Sequence, residues 1–170
     1  MSAKTIRNID VIRTFVLQGT LNFTRYFFKI RQKRKFIVGK HHREIAAALD
    51  KVLCGEITRL IINIAPRYGK TELAVKNFIA EGLAINPKAK FIHLSYSDDL
   101  ARDNSRGVQD IINEPEYRRI FPATIPTSTN TKKWYTTEGG GLYAVSSAGQ
   151  VTGFGAGLVD EEENDELAKE

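Results

Sequence analysis

Apolar positions along the first 56 residues fall into two helical stripes separated by an aromatic stretch. Ile9, Ile12, Val16 and Leu17 recur at helical spacing within Ile6–Gln18, and Ile45, Leu49, Val52 and Leu53 do so within Arg43–Leu53, where Gly55 is placed as the stop. Between them Phe23–Phe28 is rich in aromatics and runs into the bases Lys29, Arg31, Lys33, Arg34 and Lys35. The pattern then changes. Leu60–Ile64 is a short run rich in β-branched residues, which predicts a buried strand. Ala65–Gly69 reads as a turn and Thr71–Ile85 as an amphipathic helix ended by Asn86-Pro87. Phe91–Leu94 predicts a second strand, and Ser97, Asp98 and Asp99 can cap a helix that reaches about Ile112. Glu114-Pro115 and Phe121–Asn130 read as loop. Trp134–Thr137 and Leu142–Ser146 flank three glycines as a hairpin would, and Gln150–Gly157 is a glycine-rich loop.

The order strand, turn, helix, strand, helix predicts an α/β fold with a mainly parallel sheet flanked by helices. Leu60–Ala65 and Phe91–Leu94 are expected to be neighbouring or near-neighbouring parallel strands, with Thr71–Ile85 as a right-handed crossover. Three parts follow: a helical, basic lead-in at 1–56, a core at 57–157, and an acidic tail at 158–170. Ligands of such sheets bind at the carboxyl ends of strands, and the turn after Ile64 lies at one.

Composition narrows the class. A chain of 170 residues can bury a core, and no apolar run reaches membrane-spanning length. Met1–Arg13 mixes charge with isolated aliphatics and does not read as a signal peptide. Cys54 is the single cysteine, which excludes an internal disulfide and fits a reducing compartment. Net charge is +5, although Gly157–Glu170 holds seven acids and one base. The rest of the chain is therefore more basic than the total, which suits a polyanionic partner such as nucleic acid and also suits an ordinary basic domain.

The candidate chemistry lies at Pro66, Arg67, Tyr68, Gly69, Lys70 and Thr71. Gly69-Lys70-Thr71 is the second half of a Walker A loop, between a predicted strand and a predicted helix. The first half departs from the pattern, because Ile64 stands five residues before Gly69 instead of glycine. Amides at a helix start and the helix dipole both favour phosphate there. Lys70 can reach the β- and γ-phosphates of ATP, and the Thr71 hydroxyl can ligate Mg2+. Pro66 has no N–H to give, and Arg67 is the cation placed to make up the contact.

Ala65-Pro66-Arg67-Tyr68-Gly69-Lys70-Thr71 resembles the loop of the ATPase domain of phage and prophage terminase large subunits, which often reads Pro-Pro-Arg-x-Gly-Lys-Ser/Thr. The resemblance continues through Phe91–Ser97, Leu100-Ala101, Asn104-Ser105-Arg106 and Tyr117–Pro122. It extends to Trp134 with Gly139-Gly140 and to Val151–Ala156, and upstream to His42 and Gly55-Glu56-Ile57. It implies an additional-strand, RecA-like P-loop ATPase that uses ATP and Mg2+ to move double-stranded DNA into procapsids. It also implies portal protein and small terminase subunit as partners, a homo-oligomer at full length, no membrane, and the host cytoplasm. The loop pattern gives Lys70 a catalytic role, and the resemblance gives one to Arg67. For Arg67 the implied role is coupling hydrolysis to movement, with a simple phosphate ligand or salt-bridge partner as the equal alternative.

Gly157-Leu158-Val159-Asp160-Glu161 is the candidate Walker B strand, but two apolar residues are too few for a central strand and the acids run on. The expectation is that Walker B, the coupling motif and a nuclease domain lie beyond Glu170, and that the chain alone turns over ATP weakly or not at all. A helicase-like translocating ATPase and a non-catalytic DNA-binding or assembly fragment remain as alternatives. His41-His42 lacks a third ligand at zinc spacing and reads as a capping or surface pair. Cys54 reads as a small hydrophobe at a helix end. Phe23–Arg43 suits either phosphate and base contacts or, in preference, aromatics packed inward with charges outward.

Overall fold

The computed structural model describes residues 3–147. The glycine-rich loop at 150–157, the acidic tail and the Asp160-Glu161 pair lie outside the described residues. Three helices open the chain: α1 (Ala3–Val16), α2 (Thr20–Gln32) and α3 (Lys40–Leu53). The two periodic stripes fall on α1 and α3, and the aromatic stretch is the middle of α2. Phe23 and Phe27 are fully buried. Phe27 stands 5.3 Å from Tyr117 and Phe23 6.4 Å from Phe121, ring centre to ring centre. One apolar core thus joins the lead-in helices to the later chain through Val16, Phe23, Phe27, Leu83, Ile111 and Trp134.

A turn at 66–69 leads into a continuous helical segment at 70–85. Its first part, Glu72–Asn77, is a π-helical turn, and α4 (Phe78–Ile85) continues it. The wider turn has a local cause: the Asn77 amide donates to the Glu72 carbonyl at 2.8 Å and to Glu72 Oε1 at 3.0 Å. Two carbonyls of α4 are satisfied by side chains from elsewhere. The Tyr117 hydroxyl donates to Ala80 O at 2.8 Å and Thr124 Oγ1 to Leu83 O at 3.0 Å.

Three strands form the described sheet: β1 (Lys90–Ser95), β2 (Lys133–Tyr135) and β3 (Gly141–Ser146), in the order β1-β3-β2. β1 runs parallel to β3, with Lys90 opposite Gly141 and Ser95 opposite Ser146. β2 and β3 form the expected antiparallel hairpin, with Trp134 opposite Leu142. Between β1 and β3 the chain passes through α5 (Asp98–Ile112) and the short α6 (Pro115–Ile120), whose proline suits a first helical turn.

Two expectations need correction. The described sheet is mixed, not mainly parallel, because the hairpin supplies one of its two pairings. Leu60–Ile64 is not a strand among the described residues. A buried strand needs cover and a partner ladder; here Leu60, Ile61 and Asn63 are exposed, Ile61 at 91%, and the described strands pair only with one another. Phe91, at the start of β1, packs where a Cβ on Gly82 would meet its ring, and it also faces Phe78. The later turns of the 70–85 segment therefore pack against the start of β1.

Glu81 on α4 is buried at 1% exposure. Burial pushes its carboxyl up to about 8, the Asp50 charge on α3 adds to the rise, and the Thr20 hydroxyl on α2 opposes it. Tyr117 on α6 also feels its charge. An acid with a raised native pKa holds its proton in the fold after the unfolded chain has released it. Its stabilising contribution is complete below pH 4.5 and is lost as pH rises toward about 8. At roughly 1.4 kcal/mol per pKa unit, the loss is at most about 5 kcal/mol. Urea denaturation from pH 5 to pH 8 should show wild type losing stability relative to Glu81→Gln; parallel profiles would contradict the burial argument.

Candidate functional site

Pro66, Arg67, Gly69, Lys70 and Thr71 line one concavity of about 450 Å3, with Ile64, Ala65 and Glu72. The side chains of Arg67, Lys70 and Thr71 are exposed. Two residues of the turn have positive φ: Arg67 at 66° and Gly69 at 74°. Glycine takes such a conformation freely, whereas arginine does so at a cost. The helical segment starts at 70, so its first amides lack carbonyl partners within the helix and open at the turn. The amide of Leu73 is the first to bond back, to Gly69 O at 3.0 Å. Among the described residues neither Arg67 nor Lys70 has an ion-pair partner. The turn therefore offers unpaired donors and two unneutralised cations to a single space.

Tyr68 belongs to the other side of the turn. A second cavity of about 430 Å3 shares Arg67, Gly69 and Glu72 with the first, and its far walls include Phe28, Arg34, Phe36, His41 and Tyr68. Its aromatic rings form a chain of contacts. Phe28 lies 5.2 Å from Phe36, Phe36 4.8 Å from His42, His42 3.9 Å from His41, and His41 5.4 Å from Tyr68. The Arg34 guanidinium sits 5.7 Å from the Phe28 ring centre. The interleaved aromatics and bases of Phe23–Arg43 thus divide: Phe23 and Phe27 go to the core, while Phe28 and Phe36 face the cavity beside the loop.

His42 links the two regions. Its Nδ1 accepts the Gly39 N–H at 2.9 Å, which leaves Nε2 to donate to the Tyr68 carbonyl at 2.9 Å. That assignment makes the ring neutral. Burial holds its pKa below the ordinary histidine value, and the bond to Tyr68 opposes the shift. The capping role expected for the histidine pair is observed at His42, which also fixes the carbonyl of the turn. Among the described residues no three metal-binding side chains come together. Gly69 is tied to this ring as well, since a Cβ there would come within 2.8 Å of His42 Nε2. Gly69→Ala is expected to lower stability by about 1–3 kcal/mol, through strain at positive φ and loss of the His42–Tyr68 bond. Chemical denaturation measures it, and an unchanged midpoint would show that the ring does not lock the turn.

A further pairing was not legible in the sequence. Arg31 of α2 donates to Glu72 Oε1 at 3.0 Å, joining the lead-in helices to the residue after Thr71. Both side chains are largely buried, at 9% and 18% exposure, so removal of one partner leaves a poorly solvated charge.

Other singled-out residues serve the fold. Ser97 Oγ accepts the Leu100 N–H at 3.3 Å, as expected of a cap. Asp98 Oδ1 accepts the Ser146 N–H at 2.9 Å, which ties the end of β3 to α5, and the Ser146 hydroxyl together with that N–H holds the carboxyl below its ordinary range. Asn104 bonds His93 Nε2 at 3.1 Å, and Trp134 Nε1 donates to Ser105 Oγ at 2.9 Å. Cys54 lies at the C-terminal cap of α3 as expected, but it is exposed and does not pack as a hydrophobe. No described helix is long and apolar enough to cross a membrane. Comparison with protein-family models, curated proteins and solved structures finds no match for this chain.

Proposed function

We propose that this chain is the nucleotide-binding part of a P-loop ATPase of the kind terminase large subunits use to drive double-stranded DNA into procapsids. The observation that carries the reading is the turn at Pro66–Thr71: helix-start amides open at the turn, a Gly69 that leaves the backbone approachable, and Arg67 and Lys70 beside them without an ion-pair partner among the described residues. Those residues suit a triphosphate. The Thr71 hydroxyl suits Mg2+, which when bound would neutralise phosphate charge. The double-stranded DNA substrate, the portal and small-subunit partners and the oligomer belong to the same proposal, on the strength of the sequence resemblance.

A P-loop fold asks for the segment before the turn to enter the sheet. The edge of β1 away from β3 has no partner among the described residues. Ile61 at 91% exposure and Leu94 at 57% are apolar surface that a further strand would cover. We infer that such a strand, from outside the described residues, completes the sheet and carries the Walker B acid.

The aromatic cavity is the candidate seat for the nucleotide base, with Phe36 and Tyr68 as stacking surfaces. Titration calorimetry separates the two ends of the site. Phe36→Ala is expected to weaken ATP binding about tenfold, in line with about 1–3 kcal/mol for stacking on one base. Inorganic triphosphate, which has no base, should bind the variant as it binds wild type. Absence of ATP binding by wild type would overturn the proposal, and equal losses for both ligands would remove the base from this cavity.

A further inference from the structure

Away from the loop, the α1–α2 turn meets the end of α3 and the last turns of α4 around a cavity of about 380 Å3. Leu17, Leu53 and Ile85 give it aliphatic walls, Asp50 and Glu81 face it, and Cys54 stands at its edge. Among the described residues no lysine or arginine lines it. Glu81 is 1% exposed, and among the described residues neither its Oε2 nor the nearby Thr20 Oγ1 has a hydrogen-bond partner at bonding distance. Asp50 Oδ1 accepts the Thr20 N–H at 2.7 Å. Its Oδ2 lies on the Gly19 side, where a Cβ on Gly19 would come within 2.9 Å.

A buried carboxyl with an open acceptor is costly unless a partner satisfies it. A second carboxyl on the same cavity makes the complementary partner a cation. Two features select its kind. A metal ion needs more oxygen ligands than two carboxyls, one of which already holds a backbone N–H, and no group of three metal-binding side chains exists among the described residues. Aliphatic walls above an acidic floor instead match a charged head on a methylene stem. We propose that this cavity binds an alkyl cation, the guanidinium or ammonium end of an arginine or lysine side chain presented by a partner protein. The site is independent of the phosphate loop and stands whether or not the loop binds ATP.

Cys54 is the single cysteine and is exposed, so its reaction with a small disulfide reagent reports whether the cavity is filled. n-Butylguanidinium should slow that reaction saturably in the full chain, whereas neutral n-butylurea should not. Because Glu81 holds its proton up to about pH 8 in the empty cavity, protection is measured above that pH, where Glu81→Gln, nearly the same shape without the charge, should raise the half-protection concentration of n-butylguanidinium at least tenfold. Asp50→Asn keeps an acceptor for Thr20 and gives the same reading if Glu81→Gln fails to fold by circular dichroism. A capped Gly-Arg-Gly peptide should protect at lower concentration than spermidine. Spermidine binding tighter than the peptide would overturn the assignment to a partner's side chain. Absent protection, equal protection by n-butylurea, unchanged protection in both charge variants, or protection by Mg2+ in place of the alkyl cation would each overturn the site.

Discussion

Arg67→Lys is expected to lower kcat for ATP hydrolysis steeply, with little change in KM. Lysine keeps the charge and the flexible stem but loses the planar fork that holds two phosphate oxygens at once. If Arg67 only gripped ground-state ATP, the loss would appear in KM; a bond that forms only as the γ-phosphoryl group transfers shows in kcat. An arginine in that role is worth roughly 10³–10⁵ in rate in other P-loop enzymes. Its setting here suits the task. Arg67 is exposed on the wall shared by the loop concavity and the aromatic cavity, and no described acid neutralises it. The measurement needs a chain that carries the water-activating acid. Normal kcat and normal DNA movement in the variant would make Arg67 a structural residue.

The backbone of Arg67 supplies an independent reading. A φ of 66° on a residue with a Cβ costs about 1–3 kcal/mol, which glycine would largely avoid. A strained arginine in a turn where glycine would fit better is expected where the side chain has a task. Arg67→Gly should therefore leave stability unchanged or raise it while removing hydrolysis, which distinguishes a functional arginine from one the fold requires.

Much of this arrangement was legible because it is local. Period located α1, α3 and the 70–85 segment, and Ser97 marked the start of α5 by a cap that the structure contains. Three consecutive glycines between β-branched and aromatic runs located the β2–β3 hairpin. What failed to read depends on partners distant in sequence. Leu60–Ile64 has strand composition, yet a strand is a pairing, and no described strand pairs with it. Phe27 and Phe28 are adjacent in sequence and point about 100° apart on a helix, so one lies in the core and the other in the loop-side cavity. Periodicity could have separated them had the stripe been extended through Phe23 and Phe27. Phe36 sits outside any helix, and Arg31 finds Glu72 across 41 residues. Neither leaves a local signal.

Lys70→Ala is expected to abolish ATP binding or weaken it beyond calorimetric detection, and it decides more than any other change. The lysine stands at the first residue of the helical segment, on the loop concavity, exposed and without an ion-pair partner among the described residues. Its removal therefore breaks no internal salt bridge, and thermal stability should stay near that of wild type. That separation matters because Gly69→Ala also damages the loop, but through strain and the His42 contact. A charged hydrogen bond is worth about 1.5–3 kcal/mol net, and an ammonium facing both β- and γ-phosphate oxygens makes more than one such contact. The loss should thus exceed two orders of magnitude in Kd, as each ~1.4 kcal/mol is tenfold. Thr71→Ala gives the paired control: it should weaken binding in the presence of Mg2+ and leave metal-free binding nearly unchanged. Unchanged ATP affinity in Lys70→Ala, with the fold intact by circular dichroism, would show that the turn is not a nucleotide site, and the ATPase proposal would fall with it.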